Sequence, residues 1–140
     1  MKNFLPDINV WVALLAARHV HNKEAIAWIS EAADGSVALC RIAQMGLLRL
    51  LTNERAMGPD VVTSARAWEL HDQMMSDPRF YFLPEPDGLE RAWRAHTHHE
   101  RRGHAGWTDA YVAAFAKAAN LRLVTFDKQL KASSADTVIL

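Results

Sequence analysis

The sequence has little of several features that define common protein classes. It has one cysteine among 140 residues, which excludes an intrachain disulfide and a metal site built from several cysteines. That residue, Cys40, lies in an apolar run and is predicted to be a small core side chain. Lysine plus arginine equals aspartate plus glutamate at 16 each, so no overall positive field favours indiscriminate binding to nucleic acid.

Long apolar runs are also missing. None approaches the ~20 residues that a membrane-spanning helix needs. The apolar amino terminus carries Asp7 and lacks the small-residue cleavage site of a secretory leader. The sequence has no internal repeat or low-complexity segment. These features predict one soluble, cytoplasmic domain spanning residues 1–140, with no membrane partner.

Short apolar segments alternate with helical patterns along the chain. Helix N-caps are predicted at Asn22 and Thr108, and Asn120 suits the left-handed position after a helix. Strands are predicted at Asn3–Pro6, Ser36–Cys40, Phe80–Leu83, Leu121–Thr125 and Thr137–Leu140. Strands separated by helices favour right-handed crossovers. The predicted fold is therefore α/β, a three-layer α/β/α sandwich with a mainly parallel sheet of four to five strands.

Three acids stand where a strand or a loop passes into a helix. Asp7 ends the first strand, Asp127 follows the fourth, and Asp109 opens a helix. In open α/β sheets ligands bind outside the carboxyl ends of the strands, so these distant acids are predicted to converge there. The alternative interpretation is local: Asp109 is favourable charge at a helix N-terminus, and Asp7 and Asp127 are turn residues.

Converging carboxylates repel one another unless a cation neutralises them. Oxygen ligands without cysteines or a matched histidine pair favour Mg²⁺ or Mn²⁺ over zinc. Such a cation activates water and stabilises the charge that develops on a phosphodiester. The three acids therefore predict hydrolytic nuclease chemistry.

Four segments resemble one known family. Leu5–Leu14 (LPDINVWVAL) is similar to the opening of PIN domains of the VapC type. Trp107–Ala116 (WTDAYVAAFA) and Leu123–Asp127 (LVTFD) resemble that family's closing motifs, and Cys40–Leu51 (CRIAQMGLLRLL) resembles its middle helix. The resemblance covers nearly the whole chain and implies a PIN-like fold.

The resemblance implies a function and a set of site residues. It implies a metal-dependent endoribonuclease, the toxin of a bacterial toxin–antitoxin pair, with RNA as substrate, a cognate antitoxin and a homodimer as partners. Asp7, Asp109 and Asp127 would be the catalytic, metal-holding acids. The predicted supporting residues of the pocket are Asn9, Gln44, Thr108 and Thr125.

The middle segment departs from the family pattern. The family often has a glutamate there, but the candidate positions hold Gln44 and Gly46, and neither supplies a carboxylate. We expect a weaker hold on a second metal ion. The rival interpretation is a PIN-like protein that binds RNA or a partner and has lost turnover.

Residues that flank the acids are candidates for contact with RNA. Positive side chains there would bind the phosphate backbone beside the acidic pocket, and an exposed indole could stack on a base. The alternatives are an ordinary solvated helix face for the charges and core packing for the tryptophans. The candidates are Arg101, Arg102, Trp107 and Lys128.

Two further enzyme classes are weighed against the ribonuclease. A zinc hydrolase would use His99, but the second histidine falls at His104 instead of four residues later, off the same helical face. A nuclease acting on structured DNA is disfavoured because the short chain lacks insertions that would clamp a duplex. His19 and His21 are predicted to be loop residues outside any site.

Overall fold

A parallel sheet of five short strands organises the protein. The computed structural model describes residues 2–98, 103–104, 106–132 and 136–140. The strands are β1 (Phe4–Pro6), β2 (Val37–Leu39), β3 (Phe80–Phe82), β4 (Arg122–Thr125) and β5 (Thr137–Ile139). Their order is β3-β2-β1-β4-β5, and every pairing is parallel. The predicted α/β fold and its parallel sheet are confirmed.

Within the described residues, seven α-helices connect the strands. They are α1 (Ile8–Leu15), α2 (Asn22–Ser30), α3 (Arg41–Leu51), α4 (Glu54–Met57), α5 (Ser64–Met75), α6 (Leu89–Thr97) and α7 (Trp107–Ala118). Short 3-10 helices occupy Gly58–Asp60 and Lys128–Ala132. The chain moves outward from β1 to β3 and then returns past β1 to β4, so right-handed crossovers place α1–α5 on one face and α6–α7 on the other. This is the predicted three-layer arrangement.

The core lies between the sheet and these helix layers. Leu5, Leu39 and Leu123 from three neighbouring strands are fully buried, as are Trp11 on one face and Phe115 in α7. Burying each such side chain contributes about 1.5–3 kcal/mol. Within the described ranges, no helix combines the length and apolar character needed to cross a bilayer.

Two of the predicted helix caps are wrong, and the backbone explains why. Asn22 is already the first residue of α2, and its side-chain Nδ2 donates to the carbonyl of Ala13 at 2.7 Å, which ties α2 to α1. Helix α7 starts at Trp107 because Gly106 takes a left-handed conformation (φ 92°) before it, so Thr108 is the second residue of the helix. The left-handed Asn120 (φ 55°) is confirmed.

Candidate active site

Asp7 is held at the carboxyl end of the central strand. It caps α1, where its Oδ1 accepts the main-chain N–H of Ile8 at 2.8 Å. Its Oδ2 accepts the hydroxyl of Thr125 at 3.1 Å. Its own N–H donates to the carbonyl of Val124 at 2.8 Å, so the β1–β4 pairing continues up to this residue. The carboxylate is 6% exposed and fixed at both oxygens.

Thr125 links two of the acids. While its hydroxyl donates to Asp7, its Oγ1 accepts the N–H of Asp127 at 3.0 Å. The carboxylate of Asp127 accepts the N–H of Gln129 at 2.9 Å, which starts the following 3-10 helix. The fully buried Thr125 therefore contacts both Asp7 and the main chain of Asp127, and its supporting role in the pocket stays a prediction.

Asp109, the third acid, lies on α7, in the helix layer on the other face of the sheet from α1. It lies in the first turn of α7 and is exposed, and a negative charge is favourable at that end of a helix. Burial raises the pKa of Asp7, and the charges of Asp109 and Asp127 raise it further, against the lowering effect of the hydrogen bonds from Ile8 and Thr125. Burial and the charge of Asp127 also raise the pKa of Asp109. Neighbouring carboxylate charge therefore disfavours the ionised forms of Asp7 and Asp109.

The acids lie at the point where the sheet changes its winding direction. From β1 the chain proceeds to β2 on one side and later to β4 on the other, which leaves a crevice above the carboxyl ends of β1 and β4. Ligand sites of open α/β sheets form at such switch points. Strand order therefore brings the three acids to the same edge of the sheet, and their convergence on one metal ion stays a prediction.

The donor set fits a hard divalent cation. All three groups are carboxylates, and a cation would relieve their mutual repulsion. As placed, no three His, Cys, Asp or Glu side chains in the described part of the chain are close enough to hold a metal ion. Asp7 is buried and hydrogen-bonded at both oxygens, Asp127 is half-buried and accepts one hydrogen bond from Gln129, and Asp109 is exposed.

Comparison with known proteins identifies the family. A family model described as the PIN domain matches residues 4–134. The chain belongs to the PIN-domain family.

Named relatives and solved structures agree with this PIN-domain assignment. Ribonuclease VapC41 of Mycobacterium tuberculosis is 40% identical over 128 residues, 88% of each chain. Ribonuclease VapC29 of the same organism is 31% identical over 142 residues, 97% of this chain and 94% of the relative. The crystal structure of Mycobacterium tuberculosis VapC20, a sarcin-ricin loop cleaving toxin, has a TM-score of 0.67 at 18% identity and covers 94% of this chain and 95% of that one.

Both ends of the Gln44 amide in this PIN domain have hydrogen-bond partners other than the acids, and its place in the pocket stays a prediction. Its Oε1 accepts from Nη1 of Arg41 at 2.5 Å, and its Nε2 lies 3.0 Å from Nε2 of His71. The Nδ1 of His71 is 2.9 Å from Asp72, which places the ring proton on Nδ1 and makes Nε2 the acceptor for the amide. Gln44 therefore contacts α5, where His71 completes its hydrogen bonding.

Gly46 allows a close approach between α1 and α3. A Cβ at this position would lie 2.6 Å from Cδ1 of Ile8. The space that a side chain at position 46 would need is therefore filled by Ile8, the residue that follows Asp7.

Of the other predicted site residues, four are exposed near the acids along the chain and two lie outside the described residues. Asn9 and Thr108 are exposed in the first turns of α1 and α7, and their supporting roles stay predictions. Lys128 is exposed immediately after Asp127, and Trp107 is 52% exposed at the start of α7. Arg101 and Arg102, like His99, lie outside the described residues.

The sequence pattern does not predict that His21 lies next to the acid-bearing turn. The ring of His21 stacks on Phe126, with centroids 4.3 Å apart and an interplanar angle of 15°. Phe126 separates Thr125 from Asp127, so the loop between α1 and α2 packs against the acid-bearing turn. His21 was expected to be a plain loop residue. Only the fold brings these two distant rings together.

Proposed function

We propose that this PIN domain is a metal-dependent endoribonuclease and the toxin of a toxin–antitoxin pair. The observation that carries the proposal is the buried carboxylate of Asp7 at the sheet's switch point. Thr125 links it to Asp127 by hydrogen bonds, and the charges of Asp127 and Asp109 raise its pKa. Relatives named ribonuclease VapC at 40% and 31% identity support RNA as the substrate.

The acids of the chain would hold Mg²⁺, with Mn²⁺ as an alternative. The bound cation supplies neutralisation of phosphodiester charge and activation of the attacking water. Asp7 provides the buried ligand, and Asp109 and Asp127 the more exposed ones. In the proposed reaction the water oxygen bonds to phosphorus and the P–O3′ bond breaks, which leaves a 5′-phosphate and a 3′-hydroxyl that has gained a proton.

The partners follow from the same similarity. A toxin–antitoxin complex from Klebsiella pneumoniae has a TM-score of 0.65 at 17% identity and covers 97% of this chain and 96% of that one. It supports a cognate antitoxin for this protein. We also propose a homodimer, since helices of this domain leave large apolar side chains such as Met45 and Trp68 about half exposed.

Cleavage of a cellular RNA pool tests the proposal. Purified, antitoxin-free protein is incubated with Mg²⁺, with Mn²⁺ and with chelator. We expect discrete cuts with metal and none with chelator. Asp7→Asn should lower the rate by about a thousandfold, since several kcal/mol of transition-state stabilisation depend on a held cation. Asp87→Asn, an exposed loop acid outside the site, is the matched control and should cleave like wild type.

A specific observation favours one rival, a PIN domain that binds RNA without cleaving it. Ile8 occupies the space beside Gly46, so no carboxylate is available from that position. Folded protein that binds RNA but makes no cut with either metal would support the rival. End-group analysis adds a second check, because a 5′-hydroxyl at the cut would contradict the proposed reaction.

A further inference from the structure

An aromatic groove lies between α6 and the start of α7. Among the described residues its lining consists of Glu90, Trp93, Arg94, Thr97, His98 and Trp107. Its volume is about 390 Å³. Trp107 is 52% exposed although its indole is one of the largest apolar side chains. An apolar ring left in solvent beside a set of acids is typical of a binding surface.

The exposed ring is supported from behind by other aromatic side chains. The Nε1–H of Trp93 donates to the main-chain carbonyl of Trp107 at 3.2 Å, and the two indoles meet edge to face at 6.1 Å. Trp93 also meets Tyr111 edge to face at 5.4 Å, and the hydroxyl of Tyr111 donates to Glu85 at 2.8 Å. Trp107 is therefore held in place before a ligand arrives, which lowers the entropy cost of binding.

The charges of the groove select one kind of ligand. Arg94 is the one arginine or lysine among the described lining residues; it is exposed and forms an ion pair with Glu90 at 3.0 Å. A phosphate would require a cation that is not already neutralised. A nucleobase has a neutral π face that stacks on indole and polar edges that suit threonine and histidine. The groove is therefore better matched to a base than to a phosphate.

The groove and Asp109 lie at the same end of α7. Trp107 and Asp109 are the first and third residues of α7, about 3 Å apart along the helix axis. Side chains two residues apart diverge by roughly 200° around a helix. A base on Trp107 would therefore belong to a nucleotide that flanks the one whose phosphate meets Asp109, with the strand passing around the helix end.

We infer that the groove between α6 and α7 binds one unpaired nucleobase of the RNA substrate, stacked on Trp107 next to the cleavage site. The inference rests on the proposed function and adds a subsite to it. A base buried in this way must be out of a duplex, so the subsite makes the enzyme select single-stranded or looped RNA.

Binding of RNA with and without bases tests the subsite. The probes are labelled homopolymeric RNA oligonucleotides and an abasic ribose-phosphate strand of equal length, measured by fluorescence anisotropy in chelator. We expect wild type to prefer the base-bearing strands and Trp107→Ala to lose about 5- to 150-fold in affinity for them, but not for the abasic strand. Trp107→Phe, which keeps a ring, should retain much of the preference.

The control is Ile26→Ala, because Ile26 is a large apolar side chain that is 47% exposed on α2, on the other face of the sheet from the groove. It should bind both strands like wild type. Trp107→Ala that keeps the full preference for bases overturns the subsite. Wild type that cleaves RNA yet binds both strands equally overturns the subsite alone, whereas wild type that neither cleaves nor binds RNA overturns the proposed function as well. Trp107→Phe keeps the test valid if the alanine variant does not fold.

Discussion

Asp7 and Gln44 are both buried polar residues near the starts of helices, but their surroundings differ. Gln44 is 8% exposed, and both ends of its amide have a partner, Arg41 and His71. Asp7 is 6% exposed, and its two hydrogen bonds do not offset burial and the like charges of two other acids. The amide of Gln44 therefore has its hydrogen bonds within the protein, whereas the ionised carboxylate of Asp7 would be stabilised by a bound cation.

This difference separates a structural network from a functional site. A fully paired buried group contributes to a unique packing, and its removal costs stability. Groups whose ionised forms are mutually disfavoured cost stability and are typical of sites that bind a ligand or react. By this criterion the Gln44–His71 pair belongs to the scaffold and Asp7 belongs to the site.

The largest effect on stability is expected from His71→Ala. The change leaves the Nε2 group of Gln44 buried without its acceptor, which costs about 1–3 kcal/mol, with a further loss from the cavity. Urea denaturation measures the free energy of unfolding. RNA cleavage per folded molecule should stay at the wild-type rate.

The matched control is Asp72→Asn, which alters the outer partner of His71, a side chain 75% exposed. Its effect on unfolding should be much smaller. Loss of cleavage in folded His71→Ala protein would contradict the comparison, because it would place this network in the site.

A somewhat smaller effect is expected from Gly46→Ala, which tests the contact that separates the two regions. The new Cβ would meet Ile8 at 2.6 Å, and overpacking of this kind costs about 1–3 kcal/mol, against about 1 kcal/mol gained from helix propensity. Ile8→Val removes the nearest atom, Cδ1. The double variant should therefore be closer to wild type than the two single variants predict.

Thermal or urea unfolding of the four proteins in this cycle gives the coupling energy. Strictly additive effects would show that Ile8 and Gly46 do not restrict each other. Position 46 would then be open to a larger side chain.

The smallest effect is expected in the pH dependence of metal-free protein. The folded-state pKa of Asp7 is raised above its ordinary value of 3.8, so the folded state holds this proton more tightly than the unfolded chain does. Its contribution to stability is therefore greatest at low pH and falls as pH rises above 3.8 through the raised pKa. Asp7→Asn has no such proton and should gain in stability relative to wild type as pH approaches neutrality.

Unfolding free energies of both proteins in chelator, measured from pH 4 to 7, give the difference as a function of pH. Added Mg²⁺ should stabilise wild type and not Asp7→Asn. If the difference in unfolding free energy between Asp7→Asn and wild type does not change with pH, or decreases toward neutral pH, the raised pKa of Asp7 in the folded state is contradicted. The control Asp87→Asn should follow wild type.

Much of the fold was predictable because its signals are local. Pro6 ends a short apolar strand, and Leu121–Thr125 and Thr137–Leu140 predicted strands close to the observed β4 and β5. The helix starts were less predictable. A left-handed glycine at position 106 begins α7 earlier than the sequence pattern indicates, since the conformation of a glycine cannot be deduced from its neighbours.

The candidate site divides in the same way. The position of Asp7, Asp109 and Asp127 at the carboxyl edge of a parallel sheet was accessible from the alternation of strands and helices together with the family resemblance. The strand order was not predicted. The environment of Gln44 was not accessible. Residues in α3 and α5 face each other through side-chain packing, and hydrophobic periodicity cannot specify which polar groups meet across two helices.

The sequence by itself determined the three acids at the ends of local elements and the absence of a carboxylate at positions 44 and 46. Only the tertiary structure decided that Ile8 fills the space beside Gly46, that His71 completes Gln44 and that Trp93 supports Trp107. The physical reason is that element type depends on neighbouring residues, whereas close packing and buried hydrogen bonds join residues that are distant along the chain.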